Sequence, residues 1–293
     1  HRGEIYRELE QYDQAIAEFT AILEQKPDAL LPRIHRAEAR HRAGQSDEAL
    51  ADVEALLEQH ADFIPAVRLK AEILAHQEKL QEAISVLQPL SQKAPRSTEV
   101  SLQLALYHLL AKQPKQAIEA YSQALIADPD NFMALRGRGD AYLNIGDHRS
   151  ALADFERALK VQPDDPELLN NFAWLLATSP EGDVRDGVRA IQLATQASEA
   201  TNYELAHVLS TLAAASAETG DFESAQKWSQ KAVDMNDPTH GAQLAEELES
   251  YKQNKPWRER QNLGGEQPSP QPAPDTAQQG AATAEDVPVA ETD

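Results

Sequence analysis

Alanine stands at positions 15, 49, 83, 117 and 151, a strict step of 34 residues. Proline keeps the same step at 95, 129 and 163, and Pro27 lies two steps before Pro95. A fixed period of this length constrains the fold more than any other feature, because each unit must take one shape and bury itself against its copies. Around each alanine an apolar residue recurs one and four positions on, as in Ala15-Ile16…Phe19, Ala117-Ile118…Tyr121 and Ala151-Leu152…Phe155. That spacing is helical. Gly44 and Gly146-Asp147 mark turns inside a unit, while Pro-Asp and the Asp-Pro-Asp-Asn run at 128–131 mark turns between units. Such junctions stop one helix and cap the next. Abundant Ala, only 5% aromatics and no Cys suit close-packed helices better than sheets.

Within a unit, a small residue on the first helix (Gly3, Ala37, Ala71, Ala105, Gly139) lets the second helix approach. The alanine on the second helix answers it, and the large residue one turn later fills the space between units. One such hairpin cannot offset the ordering of its backbone, at ~1–2 kcal/mol per residue. Stacked copies can.

Two stretches, Gly3-x2-Tyr6…Ala15-x3-Phe19…Pro27 and Gly139-x2-Tyr142…Ala151-x3-Phe155…Pro163, resemble the tetratricopeptide repeat, a helix–turn–helix unit of this period. The resemblance implies an all-α, right-handed solenoid of antiparallel helix pairs. Repeats are expected to start near residues 30, 64, 98, 132, 166 and 206, after a truncated one, giving about seven over residues 1–238. The chain departs from the family pattern where Arg33, Val67 and Leu135 replace an early Trp, and where Arg36, Lys70 and Arg138 replace a Leu. Ala61 stands at a usual Pro. After Trp174 the period slips: the alanine due at 185 comes at Ala190, an insertion of five residues near 179–183 within TSPEGDV. The pattern returns with Ala213, Gly220 and Ala225.

Residues 239–257 are expected to form a capping helix, with Leu244, Leu248 and Tyr251 on one face and Pro256 ending it. Residues 258–293 read as an acidic Pro/Ala/Gln-rich disordered tail, since from Gly264 there is no Lys or Arg and there are six acids. The chain opens on His1 inside a helical pattern, so further sequence is expected upstream. The compartment is left open.

The formal charge of −21 argues against nucleic acid and anionic lipid as partners, because both are bound through clustered Lys and Arg. No apolar run approaches the ~20 residues that cross a bilayer, so no membrane insertion is expected. RGRGD at 136–140 contains an adhesion tripeptide and two glycines, yet it falls inside a first helix, where Gly139 is the small packing residue. A phosphate loop needs glycines ahead of a helix with free N–H groups. DPDN at 128–131 lacks the alternating ligands and glycine of a Ca²⁺ loop. Nine His are scattered over separate helices, without an H-E-x-x-H pattern, and Glu246-Glu247 reads as a solvated pair on a helix face. No catalytic, cofactor or metal residue is expected, and the chain does not read as an enzyme.

In the resembled family, first-helix positions five, nine and twelve line the concave groove. Carried over, these are Ile34, Glu38, His41; Arg68, Glu72, Ala75; Leu102, Leu106, Leu109; Arg136, Asp140, Leu143; and Asn170, Trp174, Ala177. The expected partner site is mid-array: Leu102, Leu106 and Leu109, extended by Leu143 and Trp174 and flanked by Arg68, Glu72, Arg136 and Asp140, with Asn170 among the groove residues. Acids at Glu38, Glu72 and Asp140 suit a partner segment of basic character. The leading reading is a non-catalytic scaffold binding a protein or peptide in this groove. Two others stand beside it: the interaction half of a larger transferase or kinase, and self-association through an uncapped end.

Overall fold

The computed structural model describes residues 2–259, which contain fifteen helices. They alternate as first and second members of hairpins: α1 (Arg2–Glu8) with α2 (Tyr12–Gln25), α3 (Leu30–Arg42) with α4 (Ser46–Gln59), and α5 (Ile64–His76) with α6 (Leu80–Lys93). Next come α7 (Thr98–Leu110) with α8 (Pro114–Ala127), α9 (Phe132–Asn144) with α10 (His148–Val161), and α11 (Pro166–Thr178) with α12 (Gly187–Ala200). The last hairpin is α13 (Ala206–Glu218) with α14 (Phe222–Asp234), followed by α15 (Gly241–Lys252). The pairs stack into a right-handed all-α solenoid. Each odd helix from α3 to α11 also touches the next odd helix, so the odd helices form the tighter, inner layer.

The small residues do what the period requires. A Cβ added to Gly139 would stand 2.5 Å from Cε1 of Phe155, and one on Gly3 would stand 2.8 Å from Cε1 of Phe19. Gly137 makes room in the same way for Tyr121 of the preceding repeat. RGRGD is therefore a packing element of α9: its two glycines receive the large side chains of two successive second helices. Ala15, Ala49, Ala83, Ala117 and Ala151 are all 0% exposed, which leaves no room for a longer side chain at any of them. Asn131 of the DPDN junction caps α9 by accepting a hydrogen bond from the Ala134 amide at 3.0 Å.

The turns inside the hairpins repeat to the residue. Left-handed φ angles occur at Glu10, Gly44, Glu78, Lys112 and Gly146, again one per 34 residues. Only two of the five are glycine, so the hairpin geometry imposes this conformation on side chains that disfavour it by ~1–2 kcal/mol.

The charged replacements at the family's Leu position prove to be paired. Arg36 reaches Asp52 through Nε at 2.8 Å and Nη2 at 2.5 Å, and Thr20 through Nη1 at 3.2 Å. Three repeats later, Arg138 holds Asp154 through two bonds of 2.7 Å and Ser122 through one of 3.0 Å. Asp52 and Asp154 are buried. Breaking such a pair strands a buried charge, which costs about 3–5 kcal/mol.

At the C-terminal end, α15 lays Leu244 against Leu209 and Ala232. Beyond it the chain turns back over the array. Trp257 packs with Tyr251, Ala213 and Ala217. Arg258 donates to the Ala177 carbonyl at 3.3 Å and pairs with Glu218 at 2.6 Å; the Glu259 amide donates to the Thr178 carbonyl at 3.0 Å. This strap supplies donors to carbonyls that the end of α11 leaves open. Arg258 and Glu259, assigned to the tail from sequence, thus belong to the packed array. The rest of the expected tail lies outside the described residues.

Two outcomes follow. Gly139→Ala, which helix propensity alone would favour by about 1 kcal/mol, is expected to destabilise by roughly 1–3 kcal/mol through its clash with Phe155. Lys112→Gly is expected to stabilise by about 0.5–1 kcal/mol by relieving its left-handed backbone. Urea unfolding of the two variants checks both signs.

Candidate functional site

The inner layer presents the expected groove positions unequally. Leu106 is 48% exposed, whereas Leu102, Leu109, Leu143 and Trp174 are half-buried against the core. The continuous apolar strip expected along α7 therefore narrows to one protruding side chain. Its flanking leucines pack against the neighbouring repeats, as suits a helix that is apolar on nearly every side. Arg136 turns aside to pair with Asp165 at 3.1 Å and Glu167 at 2.9 Å.

The acids expected to greet a basic segment are also engaged. Glu38 pairs with Arg7, Glu72 with Arg42 at 3.4 Å, and Asp140 accepts from Asn171 Nδ2 at 2.9 Å. Sequence spacing could not show that Arg7 and Arg42 neutralise acids on the next first helix. Arg7, Glu38, Arg42 and Glu72, with His41, Arg68 and Gln103, surround a mixed-charge hollow of about 540 Å³.

A second hollow, of about 340 Å³, opens at the other end of the inner layer. Asn170, Asn171 and Trp174 from α11 form one wall; His207, Ser210 and Thr211 from α13, with His240, Gln243 and Leu244 at α15, form the others. Asn170 and Trp174 were foreseen as groove residues, but Leu143 is not among its lining. The residues from α13 and α15 were missed. Ser210 takes position five of the last hairpin and was within reach of the periodic argument. The sequence marks α15 as a capping helix, but nothing in it turns His240 and Gln243 toward this hollow.

Glu247 corrects another expectation. It does not lie on a solvated face but is fully buried behind this hollow. Ser210 Oγ donates to its Oε2 at 2.5 Å, and Gln243 Nε2 donates to its Oε1 at 2.8 Å. Burial pushes its carboxyl above the ordinary range. Asp140, half-buried nearby, is pushed up to about 6, chiefly by burial, against the opposing effects of the Asn171 hydrogen bond and Arg136. His207 is shifted downward by burial, and neighbouring His240 adds to the shift. Among the described residues no group of three or more His, Asp or Glu is arranged to hold a metal ion.

Stacked antiparallel helix pairs with a shared inner surface, small-to-large contacts at a fixed period and a left-handed residue in every hairpin turn except that between α11 and α12 define a helical-repeat scaffold. Models of the tetratricopeptide repeat match residues 6–73, 69–132, 102–166 and 136–197. The chain belongs to the tetratricopeptide repeat family. It is 30% identical over 137 residues to the DnaJ homolog subfamily C member 3 homolog of Dictyostelium discoideum, a match covering 45% of this chain and 24% of that one. The chain thus spans about a quarter of that relative's length. Among solved structures it resembles a tetratricopeptide repeat protein from Parabacteroides merdae, with TM-score 0.56, 15% identity and coverage of 86% and 96%. It also resembles the APC/C hetero-tetramer Cut9–Hcn1, with TM-score 0.58, 14% identity and coverage of 84% of this chain and 47% of that one. At these identities the likeness is one of fold.

The Asp140 shift has a testable consequence. A carboxyl whose folded pKa is raised favours folding most when protonated, so its contribution is complete below its unfolded value and is lost as pH rises through about 6. Asp140→Asn keeps an acceptor for Asn171 and removes that loss. The variant is expected to match the parent near pH 4 and to exceed it by roughly 1–2 kcal/mol at pH 8, as read from urea midpoints across the range.

Proposed function

We propose that the chain is a non-catalytic scaffold that holds an extended protein segment along its inner layer. The observation that carries this reading is Leu106. It projects 48% exposed from α7, midway along an inner layer that is hollowed at both ends. An apolar anchor between polar hollows matches the anatomy of a recognition surface, where one or a few desolvated side chains carry most of the affinity and polar groups set register. Glu38 and Glu72 are paired with arginines, so the preference for a segment of basic character rests on the acids about the α11–α13 hollow, Asp140 and Glu247 among them. The complex formed by Cut9–Hcn1 and the family fold support protein as the class of partner.

Selection of binders from a displayed library of random peptides, followed by Leu106→Glu, tests this function. The variant is expected to weaken the selected peptides by roughly tenfold or more. Because Leu106 is half in solvent, its melting temperature should stay near that of the parent. Unchanged affinity for peptides selected on the parent rules out the groove at α7.

A further inference from the structure

The hollow between α11, α13 and α15 has a polarity of its own. Its hydrogen bonds run into the wall: Asn170 Nδ2 donates to Asn171 Oδ1 at 3.1 Å, and Asn171 Nδ2 to Asp140 at 2.9 Å. Ser210 and Gln243 donate to Glu247, while Thr211 Oγ1 donates to the His207 carbonyl at 3.1 Å. One buried acceptor is left over. Asn170 is only 8% exposed, lines the hollow, and its Oδ1 has no hydrogen-bond partner. A buried acceptor without a donor carries a cost of ~1–3 kcal/mol, which an incoming N–H removes.

Apart from the rings of His207 and His240, the latter paired with Asp237, and from Arg136, the ionisable groups around the hollow are acids. Asp140, Glu167, Asp237 and Glu247 stand on or just behind its walls, and the nearest full cation, Arg136, already pairs with Asp165 and Glu167. No Lys or Arg lines the hollow. An anion is therefore excluded on electrostatic grounds, and a neutral apolar group would leave Asn170 unsatisfied. A planar cation satisfies both conditions, and the indole of Trp174 offers it a surface. Arginine fits better than lysine because its five in-plane donors can meet amide and imidazole acceptors that diverge around one flat group.

We propose that this hollow is an arginine pocket, which takes the guanidinium of a partner segment lying in the groove. It rests on the groove reading above, but it assigns the polar end of the site and the residue type that end selects.

The test uses the whole chain with ¹⁵N-labelled tryptophan and N-acetyl-arginine amide as the probe, following the Trp174 indole signal. A saturable shift at millimolar concentration is expected. N-acetyl-citrulline amide, nearly the same shape without the charge, should give none. Asn170→Leu is expected to weaken the arginine probe by roughly tenfold. Should Asn170→Leu fail to fold, His207→Ala replaces a side chain that is only partly covered and is expected to weaken binding severalfold. No saturable shift with the arginine probe, an equal response to citrulline, or unchanged affinity in the folded variants overturns the pocket. If library peptides bind at Leu106 while the arginine probe does not bind, the pocket falls and the groove reading stands. If the probe binds and no library peptide does, the pocket stands as a guanidinium site and the groove reading falls.

Discussion

The contact between a small residue on a first helix, Gly or Ala, and an apolar side chain sixteen residues on along its partner sets the whole architecture. Gly139 against Phe155 and Gly3 against Phe19 leave no space for even one carbon. The hairpins can then close only at one distance and in one register. Because each hairpin buries too little surface alone, the same distance must recur, and the step of 34 residues is the trace of that requirement in the chain. Even the backbone obeys it: Glu78 and Lys112 accept left-handed conformations where Gly44 and Gly146 take them freely. Local preference gives way to the packing distance.

Polar residues entered this frame without changing it. Arg36 and Arg138 occupy a position that the family fills with Leu, yet each carries its own carboxylate sixteen residues later and a hydroxyl sixteen residues earlier. The spacing is the same in both because the frame is the same. Substituting a set of three groups keeps the volume filled and the charge answered, which substitution of the arginine alone would not.

The fold was legible because it rests on spacing, and spacing survives in one dimension. Helix pairs, turns and the slip after Trp174 all register as counts along the chain. The groove was legible only in outline. Its positions follow from the period, but the state of each side chain depends on neighbours from other repeats: Arg7 on Glu38, Arg42 on Glu72, Asn171 on Asp140. Leu102 and Leu109 are recessed and Leu106 is not, although all three are the same residue at groove positions of one helix. Glu247 was misread for a similar reason. A helical face is called solvated from its composition, but α15 turns that carboxyl toward Ser210, which pays for its burial with a hydrogen bond.

The first and last described hairpins are held differently. Near the first hairpin, Ile5 and Leu9 are 52% and 61% exposed, and contacts there run only between adjacent hairpins. At the other end, Arg258 bonds to Ala177 across 81 positions of sequence, and the neighbouring Glu259 lies 3.7 Å from buried His148. The strap thus reaches α10, α11 and α13 at once. A solenoid held by nearest-neighbour interfaces alone can open locally at any weak interface. A segment that bridges three hairpins removes that freedom, because opening one of them also releases the strap from the others. The hollow between α11, α13 and α15 is built inside this braced region. Its walls come from elements that the strap and α15 hold in fixed relation, which is the condition for a polar pocket whose acceptors must stay in place before any partner arrives.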